Sequence, residues 1–205
     1  MSASFWDRRA NNYEEKIREH DSRYEAMIDS TNALLADSDV VLDFGCASGE
    51  RSLDIAPHVQ RVHGIDVSTK MIELARQKTR DRQADNISFD QADAFDQSLV
   101  NGSYSAVLAF NVFHLVDDVP QVLARLNDLL PTGGLLISTT PCLGERNWLF
   151  RSLIGLAQNL GLAPTILGLT VADLESLVSR SSFEILETKI WDEKNAVQWI
   201  VARKI

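Results

Sequence analysis

The sequence predicts an α/β fold, in which helices cover both faces of a mostly parallel seven-stranded sheet that ends in an antiparallel hairpin. Five short apolar runs alternate with helical patterns or turns, as in a parallel sheet with crossover connections. These runs are residues 40–44, 61–65, 87–89, 104–110 and 135–139. Two later strand-like segments, 183–191 and 197–203, are separated by too few residues for a crossover helix, so they form the hairpin.

The first half of the chain carries ordinary signals for each element. Residues 5–36 form two polar helical segments with an intermittent apolar face. The run at 40–44 is short, rich in β-branched residues and followed by turn residues, which indicates a buried strand. A helix over 50–57 and a strand at 61–65 follow. Ser68 can cap the next helix, whose inward face includes Met71.

The second half repeats the same pattern before it changes. After the strands at 87–89 and 104–110, Asp118 can cap a helix that has Pro120 in its first turn. Pro131 ends that helix, and Gly133 and Gly134 make the turn into the strand at 135–139. Thr170 then opens a later helix with a capping box.

Length and composition indicate one globular domain. The chain has 205 residues, of which 45% are hydrophobic and 24% charged, and no linker-like tract divides it. We divide it into a helical cap (1–36), a ligand-binding core (37–140), a lid-like helical insert (141–180) and the hairpin (181–205). The net charge of −9 argues against a nucleic-acid partner, because phosphate binding needs clustered cations.

The location of the protein is predicted from the absence of targeting signals. The N-terminus has no apolar signal core, so we expect a cytoplasmic protein. Polar residues and Pro164 interrupt the most apolar stretch, 148–169, so we expect no stable membrane insertion. Cys46 and Cys142 are expected to be free thiols, as in a reducing compartment.

Small residues after the first strand mark a candidate ligand-binding loop. Gly45 and Ala47 allow a backbone to approach a ligand closely, and Asp43 could hold a cationic amine. A tight turn in which Asp43 acts as a cap explains the same residues equally well.

Two further carboxylates follow later strands and favour the ligand-binding interpretation. Asp66 ends the second strand about 20 residues after the glycine turn, where an acid accepts hydrogen bonds from ribose hydroxyls. Asp93 follows the third strand and could accept from an exocyclic amine. A helix cap and an ordinary surface acid are the alternatives for Asp66 and Asp93 respectively.

In this order and spacing, these elements resemble the cofactor-binding motifs of Class I S-adenosylmethionine-dependent methyltransferases, which have a Rossmann-like doubly wound sheet. The resemblance runs from Val40 to the C-terminus and includes 111–115 after the fourth strand. It implies S-adenosyl-L-methionine as cofactor and S-adenosyl-L-homocysteine as product. The residues it places at the cofactor are Tyr13, Asp43, Gly45, Cys46, Ala47, Asp66, Val67, Met71, Asp93, Ala94 and Asn111.

The resemblance also assigns roles within that set. Asp43 and Gly45 would cradle the methionine end, Asp66 the ribose, and Asp93 with Ala94 the adenine, whose face Met71 would cover. Ala47 stands where the family usually has glycine. Its extra methyl group is tolerable if the backbone φ angle is negative.

The methyl acceptor is predicted only by class. His114, with Asn111, would face it, either as a general base or as a histidine that merely packs against the loop. The apolar segment 146–169 is a lid over the acceptor, a contact of a homodimer or a satellite core. An acceptor pocket walled by this segment would favour a small, partly apolar molecule. Methyl transfer from a sulfonium is expected to proceed by in-line displacement.

Two other functions share parts of this pattern. The fingerprint of a nicotinamide-dependent oxidoreductase needs glycine at its first and third positions and glycine or alanine at its sixth. Counted from Gly45, the third residue is Ala47 and the sixth is Glu50, so two of the three positions fail, and an acid at the helix start would also repel a pyrophosphate. A catalytically silent cofactor-binding protein of the same fold would keep all the binding residues.

Overall fold

The computed structural model describes residues 3–17, 22–146, 152, 155, 158, 163–193 and 196–205. Two helices, α1 and α2, precede an alternation of strands and helices that ends in a hairpin. The helices are α1 (Ala3–Ile17), α2 (Ser22–Asn32), α3 (Glu50–Ile55), α4 (Thr69–Arg82), α5 (Val119–Leu129) and α6 (Val171–Arg180). The strands are β1 (Val40–Phe44), β2 (Arg61–Asp66), β3 (Ile87–Gln91), β4 (Ala106–Phe110), β5 (Leu135–Pro141), β6 (Phe183–Asp192) and β7 (Val197–Lys204).

The seven strands form one sheet with the order β3-β2-β1-β4-β5-β7-β6. Strands β1 to β5 pair in parallel, and β7 pairs antiparallel with both β5 and β6. The predicted fold class and hairpin are therefore confirmed. Strand β1 lies between β2 and β4, so the chain order reverses beside β1 and opens a crevice at the carboxyl ends of these strands.

Two apolar layers hold helices against the two faces of the sheet. On one face, Leu42 and Leu136 pack with Leu123 and Leu126 of α5 and with Leu174 of α6. On the other face, buried residues of β1, β4 and β5 pack against α2, α3 and α4. Alternate residues of β1 thus enter opposite layers, which is why its sequence is apolar almost throughout.

Local capping agrees with the sequence signals. Asp118 accepts a hydrogen bond from the Gln121 backbone N–H (2.9 Å) at the start of α5, where Pro120 lies in the first turn. Thr170 and Asp173 form the predicted capping box of α6. Each interaction satisfies N–H groups that a helix start leaves unpaired.

The segment between β3 and β4 departs from strand–helix alternation. Residues 92–105 form turns, and β4 begins at Ala106, two residues later than predicted. Leu99 and Tyr104 still pack into the core from these turns. Arg125 of α5 holds the segment through the carbonyls of Ala94 (3.1 Å) and Leu99 (2.8 Å). Long-range hydrogen bonds from one arginine thus hold a connection that contains no helix.

The apolar insert lies largely outside the described residues. The predicted lid or dimer contact falls on 146–169, and Trp148 and Phe150 are among the residues that are not described. At its described end, the Leu167 backbone N–H donates to the His114 carbonyl (2.8 Å), which brings this end of the insert to the loop after β4. None of the described helices is long and apolar enough to cross a bilayer.

Candidate functional site

The loop after β1 folds back on β2. The backbone N–H groups of Gly45 and Cys46 both donate to the Ile65 carbonyl, at 2.8 and 3.0 Å. Gly45 has a φ of +75°, and a Cβ there would lie 2.6 Å from Cγ2 of Val112. The turn therefore requires glycine at position 45, which keeps the backbone at the carboxyl end of β1 uncovered.

Gly49, at the end of the same loop, is required by packing. A Cβ on Gly49 would lie 2.5 Å from the Phe89 ring and 2.9 Å from the Ala75 Cβ. Its missing side chain allows the start of α3 to pack closely on α4 and β3.

The backbone of Ala47 does not have the negative φ angle under which its methyl group would be tolerated without strain. Its φ is +49°, in the left-handed region that favours glycine. The loop imposes this conformation, because it directs the Ala47 N–H toward the carboxylate of Asp66 (3.1 Å to Oδ2). The condition under which the extra methyl group would be free of strain is therefore not met.

Asp66 connects the loop to the start of α4. Its Oδ1 accepts from the Ser68 N–H (2.8 Å), while Oδ2 accepts from Ala47. Burial raises the pKa of this carboxyl group, and the two backbone N–H groups oppose that rise. Each carboxylate oxygen has a second lone pair, so Asp66 can accept further hydrogen bonds from a ligand.

Helix α1 is fastened to the same corner. Oδ1 of Asp7 accepts hydrogen bonds from the Ser68 hydroxyl (2.7 Å) and the Lys70 N–H (3.1 Å). These bonds hold the pKa of Asp7 below its ordinary value. Trp6, the preceding residue, lines the adjacent cavity. This attachment holds the first turns of α1 beside the cavity.

A cavity of about 230 Å³ lies at the carboxyl ends of β1, β2 and β4. Six residues predicted from sequence line it: Gly45, Ala47, Asp66, Met71, Asn111 and His114. Trp6 of α1 also lines it, as do Phe110, Val112, Leu115 and Pro141, which the sequence analysis did not assign to the site. Their positions in the sequence, at strand ends, in the loop after β4 and on α1, could have indicated that these residues line the cavity.

A second cavity, of about 190 Å³, contains the other predicted residues of the crevice. Val67, Asp93 and Ala94 line it, with Phe44, Phe95, Val116, Asp117, Asp118, Gln121 and Val122. Asp93 is held by the Phe95 N–H (2.8 Å to Oδ1). Consecutive residues line the two cavities, Asp66 with Val67 and Leu115 with Val116, so the cavities are neighbours. Met71 lines the first cavity together with Asp66, whereas Asp93 lines the second.

Two predicted residues, Asp43 and Cys46, lie elsewhere, and a third, Tyr13, is not described at its side chain. Asp43 is buried and accepts a hydrogen bond from the Ser52 hydroxyl (2.5 Å), and burial raises its pKa to about 6. Cys46 is buried in the apolar layer under α2, α3 and α4, where burial raises the pKa of its thiol. Neither side chain lines the two cavities. Tyr13 belongs to α1, and its side chain is outside the described part of the chain.

The loop after β4 brings Asn111 and His114 to the cavity. Asn111 has a φ of +56°, its N–H donates to the Thr139 carbonyl (2.7 Å), and its Oδ1 accepts from the Thr139 hydroxyl (3.4 Å). His114 is 9% exposed, and burial lowers its pKa to about 4. Its Nδ1 is buried and has no hydrogen-bond partner among the described residues. A histidine with this pKa is neutral at pH 7.

Known proteins resemble this chain over its central part. Residues 41–134 match the family model described as "Methyltransferase domain". Aklanonic acid methyltransferase DauC from Streptomyces sp. (strain C5) is 37% identical over 105 residues, covering 49% of this chain and 47% of DauC. The 23S rRNA (uracil(1939)-C(5))-methyltransferase RlmD of Legionella pneumophila (strain Paris) is 38% identical over 118 residues, covering 47% and 27%. The chain thus spans about half or less of these relatives' lengths.

The fold as a whole matches solved structures. The crystal structure of YcgJ from Bacillus subtilis superposes with a TM-score of 0.72 and 14% identity, covering 88% of this chain and 98% of YcgJ. At that identity the match concerns the fold alone. It extends the likeness from the central segment to most of the chain.

Proposed function

We propose that this chain, whose residues 41–134 match a methyltransferase domain, is a Class I S-adenosylmethionine-dependent methyltransferase that transfers the methyl group of S-adenosyl-L-methionine to a small, partly apolar acceptor. One observation carries the proposal. Residues from the ends of β1, β2 and β4, which lie apart in the sequence, line a single cavity: Gly45, Asp66 and Asn111. In an open α/β sheet, this crevice is where ligands bind.

The residues present fit this cofactor. Asp66 keeps unused lone pairs for the two ribose hydroxyls, although both its oxygens already accept from backbone N–H groups. Asp93 and Ala94 line the neighbouring cavity, which suits the adenine ring. The absence of a Cβ at Gly45 gives the methionine end close access to the backbone. An extended ligand of three linked parts therefore has a place for each part.

The cofactor supplies an activated methyl group on a positively charged sulfur. This chain contributes placement and electrostatics. Asp66 orients the ribose, and Trp6 of α1 covers the cavity while Asp7 fastens that helix to Ser68. Asn111 and His114 line the same cavity at the loop after β4, where the acceptor would meet the methyl group. In-line displacement depends above all on this alignment.

Charge and the surrounding apolar residues favour a small acceptor. The chain carries a net charge of −9. Binding to nucleic acids is driven by cationic side chains that neutralise phosphates and release counterions, so an acidic chain is poorly suited to it. Phe110, Val112, Leu115 and Pro141 give the cavity a mostly apolar wall, as in sites for small molecules. The name of DauC refers to aklanonic acid and that of RlmD to 23S rRNA, so both metabolites and RNA belong in the test.

The test is transfer of a radiolabelled methyl group from S-adenosylmethionine to matched acceptor panels. One panel contains aromatic and lipid-like metabolites, and the other contains tRNA and ribosomal RNA fragments. Label in small molecules that is lost in Asp66→Ala and kept in Asp85→Asn, an exposed acid outside the site, would support the proposal. Efficient labelling of RNA alone would overturn the small-molecule part.

A further inference from the structure

His114 is a titratable residue that lines the cavity proposed to receive the methyl acceptor. It belongs to a short 3-10 helix, Phe113–Leu115, that follows β4. Its carbonyl accepts a hydrogen bond from the Leu167 N–H, and the residue lines the 230 Å³ cavity. Among the described residues of that cavity, Asp66 is the one other titratable group, and it is engaged by two backbone N–H groups.

The two ring nitrogens of His114 have different surroundings. Nδ1 is buried and without a hydrogen-bond partner among the described residues. A buried N–H group that donates to nothing is rare and costly in proteins. The tautomer with its proton on Nδ1 would create such a group, whereas the Nε2–H tautomer does not. Nε2 is not among the buried, unpartnered atoms of the described residues, so it is the ring nitrogen that could meet a ligand in the cavity that His114 lines.

We infer that His114 presents an Nε2–H hydrogen-bond donor to the methyl acceptor, and that the acceptor is an oxygen acid already ionised at neutral pH. This inference rests on the proposed function and names its substrate class. A carboxylate, or an acidic phenol or enol, fits. The lone pair that would make His114 a base is on Nδ1, which faces the protein interior. Burial also lowers the pKa of His114 to about 4, so the ring stays neutral and keeps this tautomer.

The chemistry balances without a protein base. The anionic oxygen forms a bond to the methyl carbon while the carbon–sulfur bond breaks, and the electron pair of that bond stays on sulfur. No proton moves. An N–H donor can pair with one lone pair of an anionic oxygen and leave another free to attack. A neutral amine has one lone pair, which the same donor would occupy, so His114 discriminates against amines.

The first test is the tautomer itself, in the uniformly ¹⁵N-labelled full chain. Long-range ¹H–¹⁵N correlation distinguishes protonated from unprotonated ring nitrogens, and loss of the signal in His114→Gln assigns it. We expect a neutral ring protonated at Nε2 at every pH from 5.5 to 8. A proton on Nδ1, or an imidazolium that titrates near pH 6.5, would overturn the inference. This readout needs no methyl transfer, so it stands or falls separately from the proposed function.

The second test uses an acceptor found in the screen described above. His114→Leu should lower kcat/KM by about 10- to 100-fold, the usual value of a hydrogen bond to a charged group. His114→Gln, whose amide can donate, should recover most of that loss with an unchanged pH profile. The control is His58→Gln, because His58 is exposed outside the site. A rising limb near pH 6–7 that disappears in His114→Gln, or an amine as the preferred acceptor, would overturn the inference.

Discussion

The buried carboxyl group of Asp43 makes the folded protein less stable as pH rises. Burial raises the pKa of this carboxyl group from 3.8 to about 6, and the hydrogen bond from Ser52 offsets part of the rise. The folded protein therefore binds the proton more tightly than the unfolded chain. The stability that this tighter proton binding contributes to the fold is complete below about pH 4 and is lost as pH rises through about 6. A pKa difference of this size between the folded and unfolded chain corresponds to at most about 3 kcal/mol of stability.

Asp43→Asn removes this pH dependence because an amide is neutral at every pH and its oxygen can still accept from Ser52. The free energy of unfolding should be measured in urea for both proteins from pH 4.5 to 8. We expect Asp43→Asn to gain stability relative to the natural chain as pH rises, by about 2–3 kcal/mol at pH 8. The exposed Asp85→Asn should show no such trend. A difference that stays constant or shrinks with rising pH would refute the reasoning.

Two further predictions concern the same loop and the cysteines. Ala47→Gly should leave the free energy of unfolding unchanged or raise it by up to about 1 kcal/mol, because glycine tolerates the φ of +49°. Ala124→Gly, the same change on the exposed face of α5, should lower the free energy of unfolding by about 1 kcal/mol. An equal loss at both positions would contradict backbone strain at Ala47. Cys46 and Cys142 are buried free thiols, so mass spectrometry of the unreduced protein should find two thiols, both slow to alkylate until the chain is unfolded, and an intramolecular disulfide would contradict the structure.

The sheet could be predicted because its signals are local. Strands buried on both faces read as continuous apolar runs, and Gly45 ends the first of them. The hairpin followed from a connection too short to cross over. Asp66 could be singled out because its distance from the glycine turn is set by one strand–helix–strand unit, which is also local in sequence.

The remaining features depend on contacts between distant parts of the chain. The side chain of Asp43 turns toward Ser52 in α3 and away from the cavity, which residue type alone does not reveal. The left-handed Ala47 follows from its bond to Asp66, nineteen residues away. Asp7 reaches Ser68 across sixty-one residues. No pattern within a short window predicts such pairs, because tertiary packing selects them.

The central claim is that this crevice binds S-adenosylmethionine through Asp66. Titration calorimetry with S-adenosylmethionine tests it most directly, using the natural chain, Asp66→Ala and Asp85→Asn, each first shown to be folded by circular dichroism. We predict one binding site in the natural chain and in Asp85→Asn, and a loss of about 2–3 kcal/mol, roughly 30- to 150-fold, in Asp66→Ala. A folded natural chain that does not bind, or an Asp66→Ala variant of unchanged affinity, would contradict the claim.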